Sequence, residues 1–371
     1  MVTCSTCQVS DAAWQDPSRQ DYINLPVFFV TDRKVTVEQD KRKYSYGRQI
    51  DFDGVEAEGE SSGLTFGIEQ FRTQAAQQGG SRSWLSAFDL EIFGDRFHRR
   101  GMKWRTFSGL VYGELYGWSK RDLFYEQLSQ TLDRVPEREI LIFVHGCCVD
   151  HKKAARQAVD IQKWYRRPVV LYDWGTKSKD YYQSLLSYPK TRSRFKGFIE
   201  DLKTRYKDAR LTLVAYSVGA NILKDYSVEA GQEANGSFDS VILLRADTNI
   251  GELKKALPSI EKLSVNPTQV WVSSNDSQMM ASRALRVVTI LPRKILSVRG
   301  RRAGETGAWK NKVDIEGDGK LQVLDISRLG LGHEIPFRLF PLFAKGPIRA
   351  GDLGPFTVER GEGDLFFLSE R

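Results

Sequence analysis

Leu211-Thr212-Leu213-Val214-Ala215-Tyr216-Ser217-Val218-Gly219-Ala220 is the stretch on which the reading of this chain turns. Leu211 to Ala215 is a short apolar run of the kind that forms a buried strand, and Ala220 to Ala230 continues with helical character. Between them stands a serine with a small residue two places before it and another two places after it. A sharp, strained strand-to-helix turn leaves no room for larger side chains at those two positions, so a nucleophile elbow has this signature. Ala215 stands where a glycine is commoner, and it still meets the steric rule. Such a turn lifts Ser217 to the carboxyl end of the sheet, at the positive end of the next helix. An ordinary strand-to-helix turn that happens to carry a serine would read the same way, so the surroundings must decide.

The rhythm around the turn is regular from Glu139 onward. Ile140-Leu141-Ile142-Phe143-Val144 is wholly apolar, as buried parallel strands are. A helical segment about Lys152–Tyr165 follows, then strand Val169–Tyr172, a helix around Ser193–Lys207 and the strand before Ser217. Beyond the turn come strand Val241–Leu244, helix Gly251–Leu263, strand Gln269–Val272 and a last strand, Leu321–Ile326. Alternation of this kind implies βαβ units: an α/β fold with a mostly parallel central sheet and helices on both faces. Three regions are expected: residues 1–135 with additional strands packed on the core, a catalytic core over 136–345, and a C-terminal tail over 346–371. In the first, Leu25–Val30 reads as a strand ending at Thr31-Asp32-Arg33, Asp53–Gly63 as a loop, Trp104–Tyr116 as one or two strands, and Lys120–Leu132 as a helix.

Chemistry collects at the ends of the predicted strands. His145-Gly146-Cys147-Cys148 directly follows the apolar run, where a His-Gly turn aims the next N–H at a neighbouring nucleophile. The expected oxyanion hole is therefore the backbone N–H of Val218 with that of Cys147, donors already oriented where negative charge develops. A Cys147/His145 nucleophile pair is the rival, weakened because neighbours on a tight turn rarely face each other. Of the four histidines, His98, His145, His151 and His333, only His333 follows the last core strand, in a loop with Gly330 and Gly332. That is the place for a base. The carboxylate that orients it is expected to be Asp276, just past the second strand after the nucleophile strand, with Asp247 at the end of the preceding strand as the alternative.

Other signals point nowhere decisive. The 371 residues hold 55 Lys and Arg against 47 Asp and Glu, a net charge of +8, yet the charges are interspersed and no nucleic-acid motif is present. Cys4 and Cys7 form a lone C-x-x-C, short of the roughly four ligands that a closed zinc site needs. Asp314, Glu316, Asp318 and Asp325 fall near a calcium-loop spacing but lack flanking helices and end on Asp rather than Glu. No apolar run approaches the roughly 18 residues of a membrane span. No apolar signal region is visible either, so the cytoplasm is the expected compartment. An exported or envelope-associated protein is the alternative if residues precede Met1.

With these residues in place, the chain resembles a bacterial family of α/β-hydrolases of largely unassigned role, from about Pro26 to Phe337. The marks are Phe28-Phe29-Val30-Thr31-Asp32-Arg33, Phe143-Val144-His145-Gly146, Asp173-Trp174-Gly175 with Tyr181, the turn at Ser217, and Arg245-Ala246-Asp247. Asn275-Asp276 with Ser282, Arg302-Ala303-Gly304, Asp325-Ile326-Ser327 and Gly332-His333 complete them. The resemblance implies Ser217, Asp276 and His333 as the triad. The chain departs from it at Tyr216, where His is usual, at Cys147-Cys148 in place of Phe-Asn, and at Gly175 in place of Pro. The expected activity is hydrolysis of a small-molecule carboxylic ester through an acyl-enzyme, in the manner of a carboxylesterase or lipase, with no metal or organic cofactor. A thioesterase, amidase or acyltransferase using the same triad, and a non-catalytic binding module on the same scaffold, are the alternatives. The sequence does not indicate an oligomeric state.

Overall fold

The computed structural model describes residues 22–38, 43–49, 64–74, 121–135, 137–176, 181–288, 301–309, 320–343 and 346–371. Cys4, Cys7, His98, the 53–63 loop, the 104–116 strands and the acidic stretch 314–318 lie outside them. Strands β1 (Tyr22–Thr31), β2 (Arg33–Glu38), β3 (Lys43–Gln49) and β4 (Thr65–Gln74) precede helix α1 (Arg121–Leu132). The alternation then runs β5 (Glu139–Val144), α2 (His151–Tyr165), β6 (Val169–Asp173), α3 (Tyr181–Arg205), β7 (Arg210–Tyr216) and α4 (Gly219–Ala230). It continues through β8 (Ser240–Leu244), α5 (Ile250–Leu263), β9 (Thr268–Val272), α6 (Ser277–Val288) and β10 (Leu321–Asp325). Strands β11 (Gly351–Leu353), β12 (Phe356–Arg360) and β13 (Leu365–Glu370) close the chain.

Eleven strands form one sheet in the order β11-β12-β13-β10-β9-β8-β7-β5-β6-β1-β4, while β2 and β3 pair as a separate hairpin. From β1 to β13 neighbours run parallel, and only the edges, β1 with β4 and the β13-β12-β11 meander, are antiparallel. Alternate side chains of each central strand enter opposite layers. Ile140, Ile142 and Val144 pack with residues of α1, α3, α4 and α5. Leu141 and Phe143 pack with α2 and with Ile335, Leu339 and Phe340 beyond His333. Burial on both faces is why the strands read as unbroken apolar runs rather than alternating ones.

The chain leaves β5 for β6 on one side, then crosses back to place β7 on the other. Ligand sites of open α/β sheets form at such a reversal, outside the carboxyl ends of the strands. In register, Val144 lies opposite Ala215, so the turns that follow β5 and β7 emerge side by side.

Two expectations need correcting. The segment over 346–371 is no tail: its three strands extend the sheet, with Phe356, Val358, Phe366 and Leu368 buried on one side. The helix expected around Ser193–Lys207 begins at Tyr181 and carries Pro189 inside it. Among the described residues no helix is long and apolar enough to cross a membrane.

Candidate active site

Ser217 sits at the tip of β7 with a φ of +54°, the left-handed region that a non-glycine residue rarely enters. The turn is held from both sides: Ser217 N–H donates to Leu244 O at 3.0 Å, and Asp247 N–H donates to Ser217 O at 3.0 Å. The steric rule read from the sequence has named partners. A Cβ on Gly219 would lie 2.5 Å from His145 O and 2.9 Å from Val144 O, and a Cβ on Gly146 would lie 2.9 Å from Ser217 Cβ. The turn after β5 and the turn after β7 therefore touch backbone to backbone, and only glycine allows it.

Ser217, His333 and Asp276 come together from three separate strand ends. His333 Nε2 is 3.1 Å from Ser217 Oγ, and His333 Nδ1 is 2.5 Å from Asp276 Oδ2. Ser217 and Asp276 are 3% and 2% exposed, so the chain of hydrogen bonds is nearly closed to water except at the imidazole. Asp276 Oδ1 has a second task, accepting Met279 N–H at 3.0 Å at the start of α6. The loop that carries His333 turns through left-handed Gly330 and Gly332. Asn275 Nδ2 donates to Ser327 O at 2.8 Å, and Ser274 N–H donates to Ser327 Oγ at 2.7 Å; Asp325 Oδ1 in turn accepts the Ser327 N–H. Asp325-Ile326-Ser327 thus ties the β10 loop to the β9 loop, which fixes the distance from His333 to Asp276.

Asp247 has other partners. Its carboxylate takes Ser282 Oγ at 2.9 Å and the Tyr181 hydroxyl at 2.6 Å, and Arg302 Nε stands 3.4 Å away. Of the two carboxylates weighed from the sequence, Asp276 is the one bonded to the imidazole. Tyr181, Ser282 and Arg302, scattered over 121 positions of the chain, meet around Asp247 just behind the Ser217 turn.

Cys147 and Val218 follow Gly146 and Ser217 directly, in the two turns that abut. His145 does not face Cys147. Its Nδ1–H donates to Gly146 O at 2.6 Å, its Nε2 is 3.1 Å from Asp173 Oδ1, and its ring stacks on Trp174. The Cys147 thiol instead accepts from the Cys148 thiol at 2.7 Å.

Sequence reasoning missed a buried cluster centred on Asp173. The carboxylate also meets Arg33 Nε at 2.8 Å, His151 Nδ1 at 2.7 Å and Thr31 Oγ1 at 3.0 Å. Burial alone would raise this carboxyl, but the Arg33 charge, His151 and His145 together hold it well below the usual carboxylate range. Trp174 Nε1–H donates to His145 O at 2.8 Å. The cluster so braces the turn that carries Gly146 and Cys147. No group of three or more His, Cys, Asp and Glu side chains among the described residues is arranged to hold a metal ion.

The departures from the family pattern acquire partners too. Tyr216 donates its hydroxyl to His333 O at 2.5 Å and packs its ring 5.1 Å from the imidazole. Burial raises its phenol, and Asp276, Cys147 and Glu334 raise it further, so the hydroxyl keeps its proton. Gly175 N–H donates to Asp32 Oδ1 at 2.7 Å, a bond that a proline could not make. Arg245 is fully buried, and among the described residues its three guanidinium nitrogens have no hydrogen-bond partner. Burial lowers its pKa, while the charges of Tyr216, Asp276 and Glu334 oppose that.

Comparison of the chain with curated proteins and with solved structures gave no match. One family model matches residues 120–316, more than half of the chain, and its description is an alpha/beta hydrolase of unknown function (DUF900). The match spans the sheet from β5 to β9 with its helices, including Ser217 and Asp276, and stops short of His333. With that fold and that match, the chain belongs to this family of α/β-hydrolases.

Proposed function

We propose that the protein is a serine hydrolase that cleaves a small carboxylic ester through an acyl-enzyme. The observation that carries this reading is the unbroken chain from Ser217 Oγ to His333 at 3.1 Å and from His333 to Asp276 at 2.5 Å. The first distance is within hydrogen-bond reach for a nucleophile and its base, and the second joins that base to the group that orients it.

In this reading Ser217 Oγ attacks the ester carbonyl while His333 Nε2 takes its proton. The carbonyl oxygen becomes an oxyanion, held by the N–H groups of Val218 and Cys147. The intermediate collapses, His333 returns the proton to the departing alcohol, and the acyl group stays on Ser217. Water then repeats the sequence and releases the acid. Asp276 keeps the Nδ1 proton in place and stabilises the imidazolium. The mechanism calls for no metal or organic cofactor.

Thioesters, amides and transfer to another alcohol use the same steps, and an ester asks less of them than an amide, whose amine is the poorer leaving group. The test is hydrolysis of a panel of p-nitrophenyl esters of graded acyl length. Turnover on at least one chain length, abolished in a folded Ser217→Ala variant, is expected. Equal turnover in that variant, or none in the parent on any acyl length, would overturn the proposal in favour of a binding module.

A further inference from the structure

Two adjacent thiols occupy the turn that abuts Ser217, and the acyl-enzyme reaction uses neither. Cys147 and Cys148 are both half-buried, so small reagents can reach them. Cys148 has a φ of +65°, a conformation that L side chains rarely adopt. Backbone bent this way places the two sulfurs together, and the Cys148 thiol donates to the Cys147 thiol at 2.7 Å. Successive side chains on extended backbone would point apart instead. The chain therefore holds a preformed dithiol.

The position of the pair gives it leverage. Gly146, immediately before it, lies so near Ser217 that an added Cβ would stand 2.9 Å from Ser217 Cβ. Burial raises the pKa of the Tyr216 phenol and the nearby Cys147 raises it further, and Tyr216 holds the His333 carbonyl. A change of backbone at Cys147 thus reaches both the nucleophile turn and the loop of the base.

We propose that Cys147 and Cys148 form a redox modification site, closed by a small-molecule disulfide such as oxidised glutathione into a vicinal disulfide that withdraws the Cys147 N–H from the oxyanion position. In the first step the Cys148 thiol gives up its proton to water, and its thiolate attacks one sulfur of the oxidant. The old S–S bond breaks, and one glutathione leaves as thiolate and is protonated. Cys147, deprotonated in turn, attacks the Cys148 sulfur and expels the second glutathione. Two protein S–H bonds become one S–S bond, and the oxidant gains two electrons and two protons as two thiols. Adjacent Cα atoms across a trans peptide are about 3.8 Å apart, below the usual range for bridged cysteines. Bonds held in unfavourable geometry are the readily reduced ones, so closure is reversible by a dithiol.

The loss of activity rests on the hydrolase reading; the disulfide itself does not. The experiment uses the full chain in a Cys4→Ser/Cys7→Ser background, treated with oxidised glutathione and then with dithiothreitol. Peptide mass mapping reads the thiols, and fluorophosphonate labelling at Ser217 reads the site. We expect the peptide holding Cys147 and Cys148 to lose two hydrogen masses with no lasting glutathione adduct. Labelling should fall by about 10²-fold, the usual cost of one oxyanion donor, and recover with dithiothreitol. Cys148→Ser should label like the parent and take up glutathione on Cys147 without closing a disulfide. A stable mixed disulfide in the parent, or two thiols left intact, overturns the modification site. A disulfide that leaves labelling unchanged overturns the switch. Absence of labelling in the reduced protein would instead sink the hydrolase reading, with the mass data still deciding the dithiol.

Discussion

Replacing Asp276 by asparagine exchanges one carboxylate oxygen for an amide nitrogen, and two distances set the consequence. The oxygen toward His333 Nδ1 stands at 2.5 Å, and the other accepts Met279 N–H at 3.0 Å. Asparagine keeps the second bond through its carbonyl, so α6 loses only the charge–dipole part, about 0.3–1 kcal/mol. Its NH2 then faces Nδ1. The imidazole must accept there, which puts its single proton on Nε2, pointing at Ser217 Oγ. In that tautomer His333 is no base. The same substitution in a protease triad lowers turnover by about 10⁴-fold, which is about 5.4 kcal/mol of barrier at 1.36 kcal/mol per decade. Asp247→Asn behaves differently, because Asp247 binds Ser282, Tyr181 and Arg302 rather than the imidazole. Its amide would oppose buried donors at about 1–3 kcal/mol per group left unsatisfied, so stability falls before rate. The assay is initial-rate hydrolysis of a p-nitrophenyl ester by both variants, with Tm measured on each. Asp276→Asn within tenfold of the parent, or an inactive Asp247→Asn with an unchanged Tm, would refute the assignment.

The packing leads to three further outcomes. Gly219→Ala drives a methyl into His145 O and Val144 O, backbone that cannot swing aside. Thermal unfolding should show a loss of about 1–3 kcal/mol and Ser217 labelling should drop with it, whereas a variant with parental Tm and labelling would contradict the close approach. Asp173→Asn should unfold at markedly lower denaturant, since breaking a buried ion pair costs about 3–5 kcal/mol. Because the folded Asp173 carboxyl is depressed, its stabilisation is fully present above the ordinary carboxylate pKa of about 3.9 and is lost as pH falls toward the folded value. The parent should therefore lose this increment only below about pH 4, and an Asn variant with an unchanged acid limb in a Tm-versus-pH series would refute it. Arg245→Met removes a buried guanidinium that has no hydrogen-bond partner among the described residues and is expected to leave Tm equal or higher; a fall of several degrees would mean that Asp276 and Glu334 compensate the charge fully.

The central sheet was legible because strands buried on both faces leave unbroken apolar runs, as in Ile140–Val144 and Leu211–Ala215. The Ser217 turn was legible because its steric rule is local. The edges were harder. Phe356, Val358, Phe366 and Leu368 alternate as one-sided strands do, yet short runs between glycines resemble a tail. Pro189 obscured the first turns of α3. Position along the chain ranked Asp276 above Asp247, but only packing brings one to His333 and the other to Ser282. The Asp173 cluster joins residues 22 to 142 positions apart, and no local pattern tells which aspartate gathers Arg33, His145 and His151.

Activation of Ser217 by His333 and Asp276 is the central claim. Incubating the full chain with a fluorophosphonate probe and mapping the adduct by peptide mass spectrometry tests it most directly. A single adduct on Ser217 is predicted, formed in the folded parent and absent in His333→Ala with its fold intact. An unlabelled parent, or labelling of Ser217 at the same rate without His333, would contradict it.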